Sequence, residues 1–450
     1  MNLRRSLSLF LCCCACSVYG QQPVAATATR SFVLKNITLI DGTGAAPKKK
    51  VSLVIQGDRI AKILPAATPP PANSRVLDGQ GRTVIPSLVN GHGHLGLLKG
   101  NKAGAENYTQ SNIIRQLGKY QAFGISQVLS LGTDRESIFP MLRASHQGQL
   151  QGATFYSAGY GFAAVGGVPG PFADKALRPT TPEEAIADVQ KLADLHVDFV
   201  KMWVDDGGGT LPKLSPEIYQ AIITAAHAHN LRVAAHVYYL EDARRLVAAG
   251  VDVLAHSIRD KDVDDALIND MKAKGTIYIP TLCIDDYGFV YAGQPEWLND
   301  SLFKASLEPG VWEMLISIDY KTQQQNDPAR EKKMQAFATA KRNLHKMDSA
   351  GIKIVMGTDS GAQPVRAQGF SEHLELQLMT EAGMSPLKVI TAATRNGAEM
   401  LRIDSAVGTL QPGKKADFIV LDGDPVKDIR NTRKIVEIWR NGRRLPKTPL

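Results

Sequence analysis

Two kinds of hydrophobic pattern divide the chain. At both ends, short β-like runs alternate with turns. Ser31–Ile40, Val51–Gln56 and Ile60–Leu64 are separated by Asp41-Gly-Thr-Gly and Gly57-Asp58, and Pro65–Pro71 reads as a loop. The C-terminal end repeats this character, with Gly408–Gly413, Ala416–Leu421, Ile435–Trp439 and the turn Asn441-Gly442. The middle differs. Apolar runs bounded by turn residues recur at Thr83–Val89, Ile125–Leu131, Ala153–Ala158, Asp198–Val204, Arg232–Val237, Val251–Ala255, Thr276–Leu282 and Ile352–Gly357. Segments with helical spacing lie between them, such as Thr181–Leu195 (Thr181 cap, then Pro182, Glu183, Glu184), 215–230 (Ser215 cap, Pro216) and Leu240–Ala249.

Strands alternating with helices predict an α/β fold, a (β/α)8 TIM barrel over residues 84–401. A small β-sandwich domain is expected from both chain ends, 31–83 and 402–446. A doubly wound open sheet is the rival architecture. It usually carries a glycine-rich phosphate loop after its first strand, and Gly91-His-Gly-His94 is not one. Tyr287–Gln335, with Trp297 and Trp312, reads as an insertion after the seventh strand that could cap a site.

The first barrel strand ends in His92 and His94. On a strand, residues i and i+2 face the same way, so both imidazoles can reach one ion. A second pair, His227 and His229, serves as a control. It lies on a predicted helix, where i and i+2 point ~200° apart and cannot converge. Barrel chemistry sits at the C-terminal ends of strands. Those ends carry His92, His94, Lys201, His236, His256 and Asp359. Singly, each has an ordinary reading: a loop or core histidine, a structural lysine, a helix-capping aspartate. Together, four imidazoles, a carboxylate and a lysine point to a divalent-metal site. His146, His196, His345 and His373 lack such placement.

Composition narrows the alternatives. The 450 residues are 44% apolar and 21% charged, as in an ordinary globular protein, and no repeat or low-complexity tract appears. The net charge of +8 comes with no basic patch interleaved with aromatics, so nucleic acid is not an expected partner. Residues 1–20 read as a signal peptide: Arg4 and Arg5, an apolar stretch Leu7–Val18, and a cut after Gly20. Twin-arginine export and lipoprotein processing stay open. The stretch is too short for a spanning helix, so an exported periplasmic or secreted protein without stable membrane insertion is expected. Four of five cysteines fall in this leader, so the mature chain keeps Cys283 and no internal disulfide.

The runs VIPSLVNGHGHLGL, FVKMWV, AAHVYY, VLAHS and VMGTDSG, with Gly413-Lys-Lys-Ala-Asp-Phe-Ile-Val420, resemble the amidohydrolase superfamily of metal-dependent hydrolases. The nearer likeness is to its imidazolonepropionase-like and Xaa-Pro dipeptidase-like branch, over nearly the whole mature chain. Val89-Asn90-Gly91 departs from the pattern, where members often carry an acidic residue. The resemblance implies metal ligation by His92, His94, His236, His256 and Asp359, with Lys201 carboxylated in a binuclear site. It implies an alpha site (His92, His94, Asp359) and a beta site (His236, His256), bridged by the CO2-derived carbamate and a hydroxide. An ammonium at Lys201 would repel cations, whereas a carbamate offers two oxygens, and desolvation favours the neutral amine that takes up CO2. Two zinc ions are expected from the nitrogen-rich donor set, with manganese, iron or cobalt open. Asp359 is the expected catalytic base and then acid.

The function expected is hydrolysis of an amide or other C–N bond in a peptide-like or N-acyl small molecule. The same site would serve a lactone, carbamate or phosphoester. A non-catalytic exported binding module is the reading from another class, and the intact metal set argues against it. A mononuclear deaminase would not need Lys201. Tyr238 and Tyr239 are expected to touch substrate, the apolar segment Gly159–Phe172 to form a flexible substrate loop, and Arg178 or Arg259 to pair with an acidic group. Substrate identity and the presence of a homo-oligomer are not legible.

Overall fold

The computed structural model describes residues 31–170 and 173–446. The signal-peptide expectation lies outside the described residues. Seven parallel strands follow the predicted order. They are β1 (Leu88–Gly93), β2 (Ile125–Ser130), β3 (Thr154–Ser157), β4 (Phe199–Trp203), β5 (Arg232–His236), β6 (Val253–Ala255) and β7 (Ile277–Ile279). They pair as a three-stranded sheet, β3-β2-β1, and a four-stranded sheet, β4-β5-β6-β7. Between β3 and β4, the Asp198 amide donates to Ser157 O at 2.8 Å and Phe162 bridges Met202. At the other edge, Ile354 bridges Tyr278, Gly91 N donates to Met356 O at 2.9 Å, and Gly93 bridges Ser360. The arrangement is an α/β fold of TIM-barrel type.

Two strand expectations need correction. Thr83–Val89 is two elements. Thr83–Pro86 belongs to the small sheet, pairing with Phe418–Leu421, and β1 begins at Leu88. Pro86 lacks an amide donor, Ser87 N turns to Asp417 O and Leu88 N to Gly124 O, so the pairing partner changes at this point. Ile352–Gly357 forms a single isolated bridge, at Ile354, instead of a ladder. Its backbone is divided among neighbours: Val355 N donates to Tyr278 O, Met356 N to Ala392 O, and Thr358 N and Asp359 N both to His92 O.

Side-chain alternation places the chemistry. In β4, Val200 and Met202 face the helices with Val204, just beyond its end, in the large core. Phe199, Lys201 and Trp203 take the opposite face. Phe199 joins Val89, Leu129, Ala234, Val253, Ile277 and Val355 in the inner cluster. Helices fill the connections, among them Pro182–Asp194, whose Thr181 side chain accepts from Glu184 N. In Pro216–Ala228 the N-cap Ser215 makes no such bond.

The two chain ends meet as one eight-stranded sheet. Its order runs from Arg443–Arg444 through Ile435–Arg440, Phe418–Leu421, Thr83–Pro86, Ser31–Leu39 and Lys48–Gln56 to Arg59–Pro65, with Arg75–Asp78 paired to Ser31–Leu39. Phe32 and Phe418 stack on Trp439 with ring centroids 4.6 and 5.5 Å away. The insertion packs on barrel helices: Trp297 and Phe303 meet Phe370, and the buried Glu308 carboxylate pairs with Arg115 and Lys119. Among the described residues no helix is long and apolar enough to cross a membrane.

Candidate metal centre

The barrel brings His92, His94 and Asp359 together from opposite ends of the chain. One ligand atom from each lies within 4.8 Å of the others, and all three residues are buried. The Asp359 Oδ1 atom faces His94 Nε2 at 2.7 Å and His92 Nε2 at 3.1 Å. His256 continues the group, its ring centroid 4.6 Å from His92 and 4.4 Å from His236. Register explains the adjacency: Trp203 pairs with His236, and His236 with Ala255, one residue before His256.

Lys201 lies under this cluster and is fully buried. Its Nζ has no hydrogen-bond partner, and neither has His92 Nδ1. Burial lowers the Lys201 amine to about 7, so a substantial share of it is uncharged at neutral pH. Burial, then the Lys201 charge, takes His92 down to about 3. Burial also depresses His236 and takes His256 well below its ordinary value. Those three imidazoles are therefore neutral at pH 7 and keep a lone pair for a cation. Burial opposes ionisation of Asp359, but its pairing with His94, Arg366 and His92 outweighs it and holds the carboxyl well below its usual range.

A surrounding shell fixes ring orientation. His94 Nδ1 meets Thr133 Oγ1 at 2.7 Å, and His256 Nδ1 meets Thr281 Oγ1 at 2.9 Å, so both turn Nε2 inward. His236 is reversed: its Nε2 meets Asp205 Oδ2 at 2.8 Å, which leaves Nδ1 for an ion. Burial resists the Asp205 charge, yet its bond to His236 prevails and the carboxyl titrates at about 2. Asn90 occupies the position that departs from the acidic pattern. Its amide donates to Glu372 Oε1 (2.7 Å) and Thr358 (2.9 Å), and its carbonyl accepts from His92 N (2.9 Å). Asp359 (φ 54°), His256 (φ 74°) and Thr281 (φ 48°) are left-handed, a conformation that costs a non-glycine residue about 1 kcal/mol or more. Gly357 is required for space, since a Cβ there would lie 2.8 Å from His92 Cβ.

These donors fit metal ions: neutral imidazoles, an ionised carboxylate and an unpartnered buried amine, with no competing ion pair on the lysine. The other expectations divide. Tyr239 is already engaged, its hydroxyl donating to Asp206 at 2.8 Å. The Tyr238 hydroxyl has no hydrogen bond among the described residues, and Arg259 stacks 4.7 Å from its ring centroid. Arg259 also pairs with Asp285 at 3.2 Å. Arg178 is not available to an acidic group, because its guanidinium binds the carbonyls of Ala164, Gly167 and Pro169. It straps the loop expected to be flexible. His227 pairs with Asp252, His146 with Asp198, and His373 is a core residue bonded to Thr432 and Phe123 O. Sequence reasoning missed Asp205, Thr133, Thr281 and Arg366, which touches Asp359 Oδ2. Asp205 had a local signal, two residues after β4, and Arg366 had none.

The amidohydrolase family pattern matches residues 83–445, which takes in every residue of this cluster. The chain belongs to the amidohydrolase family. Ochratoxinase of Aspergillus niger is 27% identical over 244 residues, covering 53% of this chain and 43% of that protein. The chain thus spans less than half the length of that relative. Imidazolonepropionase of Streptomyces griseus is 23% identical over 94% of this chain and 99% of its own. A crystal structure of a Xaa-Pro dipeptidase with bound methionine in the active site shares the fold, with a TM-score of 0.74 and 24% identity over 92% of this chain and 99% of that one.

Proposed function

We propose that the protein is a binuclear metal-dependent hydrolase that cleaves an amide or other C–N bond in a peptide-like or N-acyl small molecule. Lys201 carries the proposal. It is buried and unpartnered, its amine is lowered to about 7, and its charge state acts on His92, His236 and His256 alike. A mononuclear site has no use for an amine at that point.

In this reading His92, His94 and Asp359 would hold one ion and His236 and His256 the other, with Lys201, once carboxylated, as the ligand they share. The nitrogen-rich donor set favours zinc. Bound there, two cations would supply an acidified water and a polarised scissile carbonyl. Asp359, kept ionised by His94 and Arg366, takes the proton of the attacking water and delivers it to the leaving nitrogen. Asp205 holds the His236 ring while Asp359 moves that proton. The Tyr238 hydroxyl, next to His236 in the chain and uncommitted, hydrogen-bonds the substrate. The same reading takes the barrel, from Leu88 on, as one domain and the sheet built from both chain ends as a second, and takes the protein to be exported from the cytoplasm.

Metal content per chain, in wild type and Lys201→Ala, tests it alongside assays on dipeptides, N-acyl amino acids, lactones and aryl phosphotriesters. About two ions in wild type, lost with activity in the variant, is the expected result. One ion in both proteins with activity intact would remove the bridging lysine.

A further inference from the structure

We infer that Glu372 is the positioning residue of the His92–His94–Asp359 site: from the helix Phe370–Glu381 its carboxylate ties the end of β1 to the Thr358–Ser360 turn, so one side chain sets all three ligands. The inference rests on the metal-centre reading and adds to it a residue that touches none of the ligand side chains. Glu372 is fully buried. Its Oε1 atom accepts from Asn90 Nδ2, Thr358 Oγ1 and Ser360 Oγ, each at 2.7 Å, and its Oε2 atom accepts from Gly369 N at 2.7 Å.

The segments joined this way carry the ligands. Asn90 turns its carbonyl to His92 N at 2.9 Å. Thr358 and Ser360 flank Asp359, whose left-handed φ of 54° is unfavourable for a non-glycine residue and persists where its neighbours hold it. Both neighbours are pinned to the same carboxylate oxygen. The backbone completes the tie: Thr358 N and Asp359 N donate to His92 O, and His94 N donates to Ser360 O. The buried Tyr120 hydroxyl secures the turn from its other side, 2.7 Å from Ser360 Oγ. Glu372 is itself preset, because it is the third residue of its helix and reaches back to Gly369 N at the helix start. All four donors are neutral, and burial pushes the carboxyl up. A buried carboxylate with no cation beside it is costly. Charge-assisted bonds to the ligand-bearing segments offset that cost. The amide at Asn90 follows from the same pair. It supplies the donor that a carboxylate at position 372 needs, whereas an aspartate would set two acceptors 2.7 Å apart.

An exchange of donor and acceptor tests this without turnover. Asn90→Asp and Glu372→Gln each mismatch the pair, and the double variant Asn90→Asp/Glu372→Gln restores it with the roles reversed. Chelator-stripped protein in bicarbonate buffer is titrated with zinc against a competing chelator, and the absorption spectrum of cobalt-loaded protein reports the ligand geometry. Each single variant should weaken one bound ion by about 10- to 100-fold and alter the cobalt spectrum. The double variant should recover most of that loss, which makes the two changes strongly coupled. Where a single variant does not fold, recovery of folded, metal-binding protein in the double reads the same coupling. Losses that add, with no recovery in the double, overturn the positioning role. So does a Glu372→Gln protein that unfolds earlier yet binds both ions as wild type does, because its carboxylate would then serve stability alone. A wild type that binds no metal would instead refute the metal centre, and the role of Glu372 would fall with it.

Discussion

Replacing Lys201 by methionine should stabilise the protein when no metal or CO2 is present. The side chain is fully buried, its Nζ has no partner, and its surroundings include Trp203 and the close backbone of Gly132. Burial lowers the amine from 10.5 to about 7. Because the folded value is the lower one, the unfolded chain binds a proton that the folded chain does not. Stability is lost as pH falls from 10.5 toward 7. The linkage cost is about 4 kcal/mol at pH 7 and falls to about 1 kcal/mol at pH 9.5. Methionine has a similar length, no proton to bind and no polar atom to strand. The assay is the unfolding midpoint of chelator-stripped protein in CO2-free buffer at both pH values. Lys201→Met should unfold later than wild type at pH 7, with the gap narrowing by pH 9.5. Addition of zinc and bicarbonate should reverse the order, because only wild type then gains the binding energy of the bridged ions. An equal or earlier midpoint at pH 7, or a gap that does not change with pH, would refute the picture of a buried amine.

Asp205→Asn removes the charge that holds His236, and affinity for the more weakly bound ion should drop about 10- to 100-fold in a competitive chelator titration. Unchanged affinity would show that the His236 ring is set by packing alone. Asn90→Leu leaves His92 N without its acceptor, while Glu372 keeps Thr358, Ser360 and Gly369 N as donors. At about 1–3 kcal/mol for a stranded buried group, it should cost about 1–3 kcal/mol in denaturant unfolding.

The repeated strands and the six strand-end residues were legible because both follow local rules. Period-two alternation marks buried strands, and a barrel collects its chemistry at their C-terminal ends. Lys201 is the clearest instance: alternation alone turns it inward with Phe199 and Trp203. What escaped depends on partners far along the chain. The division of Thr83–Val89 at Pro86 is decided by Asp417 and Gly124, and the thinning of the eighth strand by Ala392 and His92. Arg178 looked like a free cation because the carbonyls that occupy it belong to a loop with no regular structure. Arg366 reaches Asp359 through a turn that no periodicity announces.

Two kinds of exception to good local chemistry meet at the metal centre. Lys201 Nζ and His92 Nδ1 are buried without partners. Asp359, His256 and Thr281 sit at left-handed φ values that glycine would take more easily. Each feature is unfavourable by about 1 kcal/mol or more. Other left-handed non-glycine residues stand at turns, such as Asn73, Asn230 and Asn441, and glycine takes that conformation after helices at Gly250 and Gly275. A fold that can place glycine correctly has no packing reason to strain three residues around two stranded nitrogens. Strained backbone meeting stranded nitrogens at the same strand ends is what a site pre-shaped for cations requires, since ligands must hold their geometry before the ion arrives.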